Sequence, residues 1–193
     1  MPRSERARSG WFGTAGQVAL LLCTLALLAG NFLLIRQNDR LRRDEALRTR
    51  SMAPQAGLQL EPLRGVARNG DTIALDYQED QRQTLLVVFS TECSISQANW
   101  PYWRELVSKV DKARFRVALV NLSDSVPDSY AQTYSIPDDI PLIAKVDPIA
   151  ALQHNLSLSP NLVLVGNDGV IEDTWLGSEL QTRRSALERT LGL

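Results

Sequence analysis

The sequence predicts an α/β domain in which helices cover both faces of a mixed β-sheet, preceded by one long apolar helix. From residue 63 onward, strand-like and helix-like segments alternate, and TLLVVFS (84–90) is apolar throughout, as expected for a strand buried on both faces. The 27 residues between Arg8 and Arg36 carry no charge. We therefore divide the chain into a short N-terminal tail (1–15), a transmembrane anchor (16–35), a charged stalk and linker (36–62) and a folded domain (63–193).

The uncharged stretch contains VALLLCTLALLAGNFLLI (18–35). A helix needs about 20 apolar residues to cross a bilayer, and this stretch is long enough. A cleaved signal peptide is the alternative, but its apolar region is usually about 7–15 residues long and ends at a small-x-small site. The chain has a longer run and no convincing site of this kind. We expect an uncleaved anchor, with Trp11 and Phe12 at one membrane interface.

A charged helix is predicted over residues 36–50, and the proline and glycine of 51–62 predict a linker. A dimerising coil through Leu34 and Leu41 is a weaker alternative, because the heptads are too few. Three arginines precede the anchor and six follow it before residue 51. Counted alone, they place the C-terminal domain in the cytoplasm.

The folded domain is predicted to begin with a hairpin. Asn69-Gly70 separates two half-apolar runs, in a type of turn whose two central residues both need positive φ. After the strand at 84–90, a helix over 94–110 is indicated by apolar residues at helical spacing, namely Trp100, Trp103, Leu106, Val107 and Val110.

The alternation continues along the chain. We predict a strand over 114–122, a short helix over 125–135, a strand over 141–147 and a helix over 148–155, with Pro148 in its first turn.

Two strands around a tight turn at 167–169 come next, and a last helix over 178–191 begins at the cap residue Ser178. This order gives βαβ crossovers first and a hairpin last, so the sheet should be mixed.

The composition excludes several classes of function. The chain has 21 basic and 22 acidic residues and a net charge of -1, so no overall field attracts nucleic acid. Two cysteines and one histidine cannot build a disulfide framework, a cysteine-rich metal site or a multi-histidine site. We expect no cofactor, no metal and no nucleic-acid partner, and we interpret His154 as structural.

Cys93 is the candidate for chemistry. It follows the buried strand and stands at the start of a helix, where unpaired N–H groups and the helix dipole favour an anion. A thiol in such a place has a lowered pKa, and its thiolate is the nucleophile. The alternative, a small buried core residue, fits this position less well. Pro101, inside the same helix, should bend it. Cys23 lies about 20 Å below the outer end of the anchor and cannot reach Cys93.

The strand, the Cys-x-x-Ser motif, Pro101 and LSPNLVLVGNDGVI (158–171) together resemble the thioredoxin fold. Within it, the chain is most similar to the membrane-anchored bacterial TlpA-like and ResA-like disulfide reductases, over about residues 58–193. The resemblance implies that Cys93 is the attacking thiol, that Pro160 is a cis-proline facing it, and that the backbone of Ser159 pairs with an extended substrate.

The resemblance also implies an anchor in the bacterial inner membrane, with the domain facing the periplasm or exterior. We prefer this orientation to the one given by the arginine count.

Three positions depart from the family. Ser96 replaces the resolving cysteine, Glu92 stands where a neutral residue is usual, and Asn161 replaces a common threonine after the proline. A dithiol site clears its mixed disulfide with the second cysteine, so with Ser96 an external thiol must do so. The Ser96 hydroxyl can still donate to the sulfur, whereas the Glu92 carboxylate should raise the thiol pKa, and the sequence leaves the net sign open.

Three functions follow from these residues. The first is thiol–disulfide exchange through Cys93, on a protein or small-molecule thiol or disulfide. The second is a redox-silent module whose cis-proline groove holds a partner segment by backbone pairing. The third, a thiol peroxidase, fits poorly, because Leu86 and Ser90 stand where its Pro-x-x-x-Thr-x-x-Cys pattern needs proline and threonine.

Overall fold

The computed structural model describes residues 9–51, 53–79, 81–177 and 179–193. The chain divides into two compact units, one ending at Thr49 and the other being Arg50–Leu193. The predicted cap Ser178 and the first three arginines lie outside the described residues, as do the side chains of Trp11 and Phe12.

Within the described residues, the first unit consists of one helix, α1 (Ser9–Ser51), which continues through the charged residues 36–50 as predicted. Its segment Gly16–Asp44 is long and apolar enough to cross a membrane. The large apolar side chains of this segment are exposed, for example Leu20 at 71%. This segment therefore has apolar side chains that are exposed along its length.

The second unit contains eight strands and four helices among the residues that the structure describes. The strands are β1 (Leu63–Val66), β2 (Thr72–Leu75), β3 (Gln83–Phe89), β4 (Phe115–Asn121), β5 (Leu142–Ile143), β6 (Lys145–Val146), β7 (Asn161–Val165) and β8 (Ile171–Leu176). The helices are α2 (Ser94–Lys109), α3 (Asp128–Tyr134), α4 (Pro148–Gln153) and α5 (Leu180–Leu191).

Five strands form one sheet in the order β5-β4-β3-β7-β8, and three form a second in the order β2-β1-β6. In the larger sheet, β3, β4 and β5 are parallel, while β7 and β8 run antiparallel. The mixed sheet that the order of elements predicted is confirmed.

The central strand β3 is buried on both faces, because its alternate side chains enter two separate cores. Leu85, Val87 and Phe89 pack with α2, α3 and α5, whereas Leu86 and Val88 pack with α4 and the β1–β2 hairpin. All five residues predicted to form the apolar face of α2 are buried. The carboxyl end of β3 therefore lies between two packed layers, and the turn 90–92 separates it from Cys93.

The hairpin is present, but its predicted turn geometry is wrong. Gly70 has φ +90°, whereas Asn69 does not have positive φ. The connection is longer than two residues: the Ala67 N–H donates to the Asp71 carbonyl at 2.8 Å. Asn69 acts through its side chain instead, because its Oδ1 accepts from the Asp71 N–H at 3.1 Å.

The strand predicted over 141–147 is two strands that join different sheets. β5 pairs with β4, while β6 pairs with β1. Ala144, between them, donates its N–H to the Val66 carbonyl at 2.8 Å. One apolar run thus crosses from the larger sheet to the smaller one.

Part of the segment predicted as a linker (51–62) is folded into the second unit. Gln59 forms a β-bridge with Val170, the Leu60 N–H donates to the Gly169 carbonyl at 2.9 Å, and Leu60 is buried. His154 is buried nearby, with its two ring nitrogens each 2.6 Å from a backbone carbonyl oxygen, of Ala150 and of Glu61.

Candidate functional site

Cys93 is the N-cap residue of α2, and the turn 90–92 connects it to β3. Its backbone is extended, with φ -91° and ψ 115°, and its thiol makes no capping hydrogen bond. The first N–H groups of α2 therefore lack the side-chain acceptor that most helices supply at this position. They are available to a thiolate.

Burial raises the pKa of the Cys93 thiol, but the Ser96 N–H and hydroxyl, and to a smaller extent Ile95 and Ser159, are placed to donate to the thiolate and lower the pKa by a larger amount. The net result is a pKa below the ordinary cysteine value. Glu92, expected to act in the opposite direction, is exposed, so water screens its charge. The net effect on the Cys93 pKa, which the sequence left open, is therefore a decrease.

Ser96 is completely buried beneath the thiol. Its Oγ accepts a hydrogen bond from the Ser90 N–H at 3.3 Å. Because that bond occupies a lone pair of Ser96 and not its proton, the hydroxyl can still donate to the sulfur of Cys93.

A cis peptide bond joins Ser159 and Pro160. The Cys93 Sγ lies 3.8 Å from the Ser159 carbonyl oxygen. The Pro160 carbonyl accepts from the Gly177 N–H at 2.7 Å, and a Cβ added at Gly177 would overlap the Pro160 ring. A residue without a side chain at 177 thus lets the end of β8 support the loop that faces the thiol.

A groove of about 460 Å³ adjoins the turn that carries Cys93. Thr91, Glu92 and the segment 123–125 line one part of it, and Tyr130 and Tyr134 of α3 line another. Burial raises the pKa of Tyr130, whose hydroxyl accepts from the Trp100 Nε1 at 2.8 Å. The groove offers hydroxyl groups and aromatic surface beside the turn that precedes Cys93.

The structure brings four of the predicted site residues together: Cys93, Ser96, Ser159 and Pro160. Glu92 borders the groove. Pro101 lies farther along α2, eight residues after Cys93, which corresponds to about 12 Å at the helical rise of 1.5 Å per residue. α2 continues through Pro101, which removes one helical hydrogen bond.

The polar residues at the end of β4 and directly after it were not among the predicted site residues. Asn121 is buried, and Ser123 contacts the turn before Cys93. The signal was available, since NLSDS (121–125) follows a buried strand, and the carboxyl ends of neighbouring parallel strands lie side by side.

No group of three or more His, Cys, Asp or Glu side chains suited to a metal ion occurs within the described ranges.

No protein-family model matches the chain, and no curated protein matches its sequence. Solved structures do match. The thioredoxin domain of a thiol-disulfide oxidoreductase from Bacteroides vulgatus aligns with 71% of this chain and 98% of its own, with a TM-score of 0.54 and 17% identity. The chain has a thioredoxin-like fold. The fold predicted from the sequence is confirmed.

Two further thioredoxin-like structures agree with this result. A thiol:disulfide interchange protein from a Bacteroides species covers 72% of this chain and 91% of its own, with a TM-score of 0.55 and 15% identity. A peroxiredoxin-like protein from Aquifex aeolicus covers 64% of this chain and 77% of its own, with a TM-score of 0.52 and 9% identity.

Proposed function

We propose that this thioredoxin-like protein takes part in thiol–disulfide exchange through Cys93 alone. The observation that carries the proposal is the placement of one partly exposed thiol at the start of α2, with a lowered pKa and 3.8 Å from the carbonyl of the cis Ser159–Pro160 loop. The similar structures named as thiol-disulfide oxidoreductases and interchange proteins support it.

The reaction consists of exchange steps of equal form. The Cys93 thiolate attacks one sulfur of a substrate disulfide, which forms a mixed disulfide and releases the other sulfur as a thiolate that takes a proton from water. An external thiolate then attacks the substrate sulfur of the mixed disulfide, so that Cys93 leaves as its thiolate and the substrate sulfur becomes joined to the external thiol, from which a second external thiolate releases it. Full reduction of the substrate disulfide consumes two external thiols, which leave as their own disulfide.

Each predicted site residue has a role in this scheme. The Ser96 hydroxyl donates to the thiolate, and the Ser159–Pro160 loop presents backbone to an extended substrate. Among the described residues, no group accepts a hydrogen bond from the Ser159 N–H, which leaves this donor for a substrate carbonyl. Glu92 sets the charge at the groove, and Pro101 shapes α2.

We also propose that α1 supplies an uncleaved anchor, with a tail at 1–15, a span at 16–35, a stalk and linker at 36–62 and a domain at 63–193. The exposed apolar surface of Gly16–Asp44 supports this assignment. We place the anchor in a bacterial inner membrane and the domain on the periplasmic side. A membrane-impermeant maleimide should then label Cys93 in intact spheroplasts. Labelling that occurs only after permeabilisation would indicate the opposite orientation, with the domain in the cytoplasm.

A trapping experiment tests the exchange reaction. Full-length protein in detergent is treated with glutathione disulfide or a disulfide-containing peptide, and its intact mass is measured by mass spectrometry. We expect one adduct on the parent protein and on Cys23→Ser, and none on Cys93→Ser. Absence of an adduct on the parent would reject the proposal, whereas peroxide consumption with a sulfenic acid at Cys93 would indicate a peroxidase.

The second candidate, a redox-silent binding module, is favoured by Ser96 in place of a second thiol and by the free Ser159 N–H. It predicts that an extended peptide binds the parent and Cys93→Ser equally well, and that no adduct forms.

A further inference from the structure

The turn that carries Cys93 is held from a distant part of the sequence. Ser123 Oγ lies 2.8 Å from Ser90 Oγ, and the Thr91 N–H donates to the same Ser123 Oγ at 3.1 Å. The Thr91 hydroxyl donates to the Ser125 carbonyl at 3.4 Å. These bonds connect the carboxyl ends of β3 and β4 across the edge of the sheet.

The segment that holds the turn is itself fixed by a buried amide. Asn121, completely buried at the end of β4, donates through Nδ2 to the carbonyls of Ser123 at 3.0 Å, Ser125 at 3.1 Å and Ala144 at 2.7 Å. Its Oδ1 accepts from the Ser123 N–H at 3.2 Å. A buried amide with both ends bonded gives Ser123 a fixed backbone.

Ser90 connects Ser123 to the residues around the sulfur through its own hydrogen bonds. Its hydroxyl accepts from the Glu92 N–H at 3.2 Å, and its carbonyl accepts from the Cys93 N–H at 3.2 Å. Its own N–H donates to Ser96 Oγ at 3.3 Å. The position of Ser90 therefore determines both the backbone of Cys93 and the orientation of the Ser96 hydroxyl that faces the thiol.

We propose that Ser123 is a positioning residue for Cys93, acting through Ser90 and Ser96 to hold the thiolate donors in place. The inference rests on the proposed function in that it concerns the same sulfur. Ser123 itself bonds to the turn and not to the sulfur, so its removal should change the ionisation of Cys93 without removing the nucleophile.

The test measures the pH dependence of iodoacetamide alkylation in full-length protein in detergent. A Cys23→Ser background leaves Cys93 as the single thiol. We expect Ser123→Ala to move the profile to higher pH, so that the rate at neutral pH falls about three- to tenfold while the rate at high pH is unchanged. Ser123→Thr, which keeps the hydroxyl, should stay close to the parent.

Ser125→Ala is the matched control, because Ser125 contributes its backbone carbonyl and not its exposed side chain. Its profile should superimpose on that of the parent. If Ser123→Ala proves unstable by circular dichroism, Ser90→Ala removes the same hydroxyl pair from the other side and should shift the profile in the same direction.

The inference is overturned if the profiles of Ser123→Ala and the parent coincide, or if Ser123→Thr shifts as far as Ser123→Ala. Alkylation needs a thiolate but no exchange partner. A shifted profile together with failure of the trapping experiment would therefore reject the proposed function and keep the positioning role. An adduct together with an unshifted profile would keep the proposed function and reject the positioning role.

Discussion

The first turns of α2 and α4 solve the same problem in different ways. Each helix follows a strand and begins after an extended N-cap residue, Cys93 or Asp147. The Asp147 carboxylate accepts from the N–H groups of Ile149 at 2.8 Å and Ala150 at 3.0 Å. Cys93 makes no such bond as a thiol. In α4 the N–H groups of Ile149 and Ala150 already have a side-chain acceptor, whereas the first N–H groups of α2 gain a strong acceptor when the sulfur ionises.

The difference separates a structural helix end from a reactive one. At α4 the favourable field of the helix end stabilises the fold through the Asp147 side chain, which accepts from two backbone N–H groups. At α2 the same field lowers the free energy of the thiolate, and no side-chain capping hydrogen bond stabilises the start of the helix. The variants below exchange or remove these two arrangements.

The largest effect is expected when α2 is given the cap of α4. Cys93→Asp should abolish adduct formation, and it should be more stable than Cys93→Ala by about 1 kcal/mol, because a carboxylate can accept from the first N–H groups. Intact-mass trapping and denaturant unfolding of both variants measure the two effects. A Cys93→Asp protein that is no more stable than Cys93→Ala would show that the α2 end is not an available anion site.

The next largest effect concerns the loop opposite Cys93. Gly177→Ala should destabilise the protein by about 1–3 kcal/mol, because the new methyl group overlaps the buried Pro160 ring. It should also slow adduct formation by displacing the loop. Gly70→Ala is the control for the adduct rate: its Cβ would meet no atom within 4 Å, but its φ of +90° strains alanine, so this variant should lose stability and keep the adduct rate of the parent. Equal adduct rates for Gly177→Ala and the parent would contradict a role for the loop.

Removal of the α4 cap should affect stability alone. Asp147→Ala is expected to lower the free energy of unfolding by about 0.5–2 kcal/mol, and Asp147→Asn, which keeps an acceptor oxygen, by less. The adduct rate should equal that of the parent in both variants. A slower adduct rate in Asp147→Ala would show that the two helix ends are coupled.

The smallest effect is a pH dependence of stability. The folded-state pKa of Cys93 is lowered, so the folded protein stabilises the thiolate. Its contribution is complete above the unfolded-state pKa of about 8.5 and is lost as the pH falls through the folded-state pKa. Under reducing conditions, the free energy of unfolding of the parent relative to Cys93→Ala should therefore increase as the pH rises through this window. A decrease would mean that the pKa is raised.

Much of the fold was predictable because it depends on local patterns. The apolar run of β3, the spacing of Trp100 and Trp103 and the cap position of Cys93 are each visible within a few residues of sequence. The division of 141–147 between two sheets was not predictable, because it depends on which strands pair with its two halves.

The candidate site divides in the same way. Cys93 and Ser96 lie in one motif, whereas Ser123 reaches the site through the register of β3 with β4. The direction of the Cys93 pKa also needed the structure, because it depends on whether Ser96 is buried under the sulfur and Glu92 is in water.

The lifetime of the mixed disulfide tests the single-thiol mechanism most directly. In a Cys23→Ser background, full-length protein carrying the peptide adduct is freed of excess reagent and followed by intact mass, beside the Ser96→Cys variant. We predict that the parent adduct persists until an external thiol is added, whereas Ser96→Cys releases the peptide and closes an internal disulfide with Cys93. A parent protein that never forms the adduct, or that sheds it without an added thiol, would contradict the account.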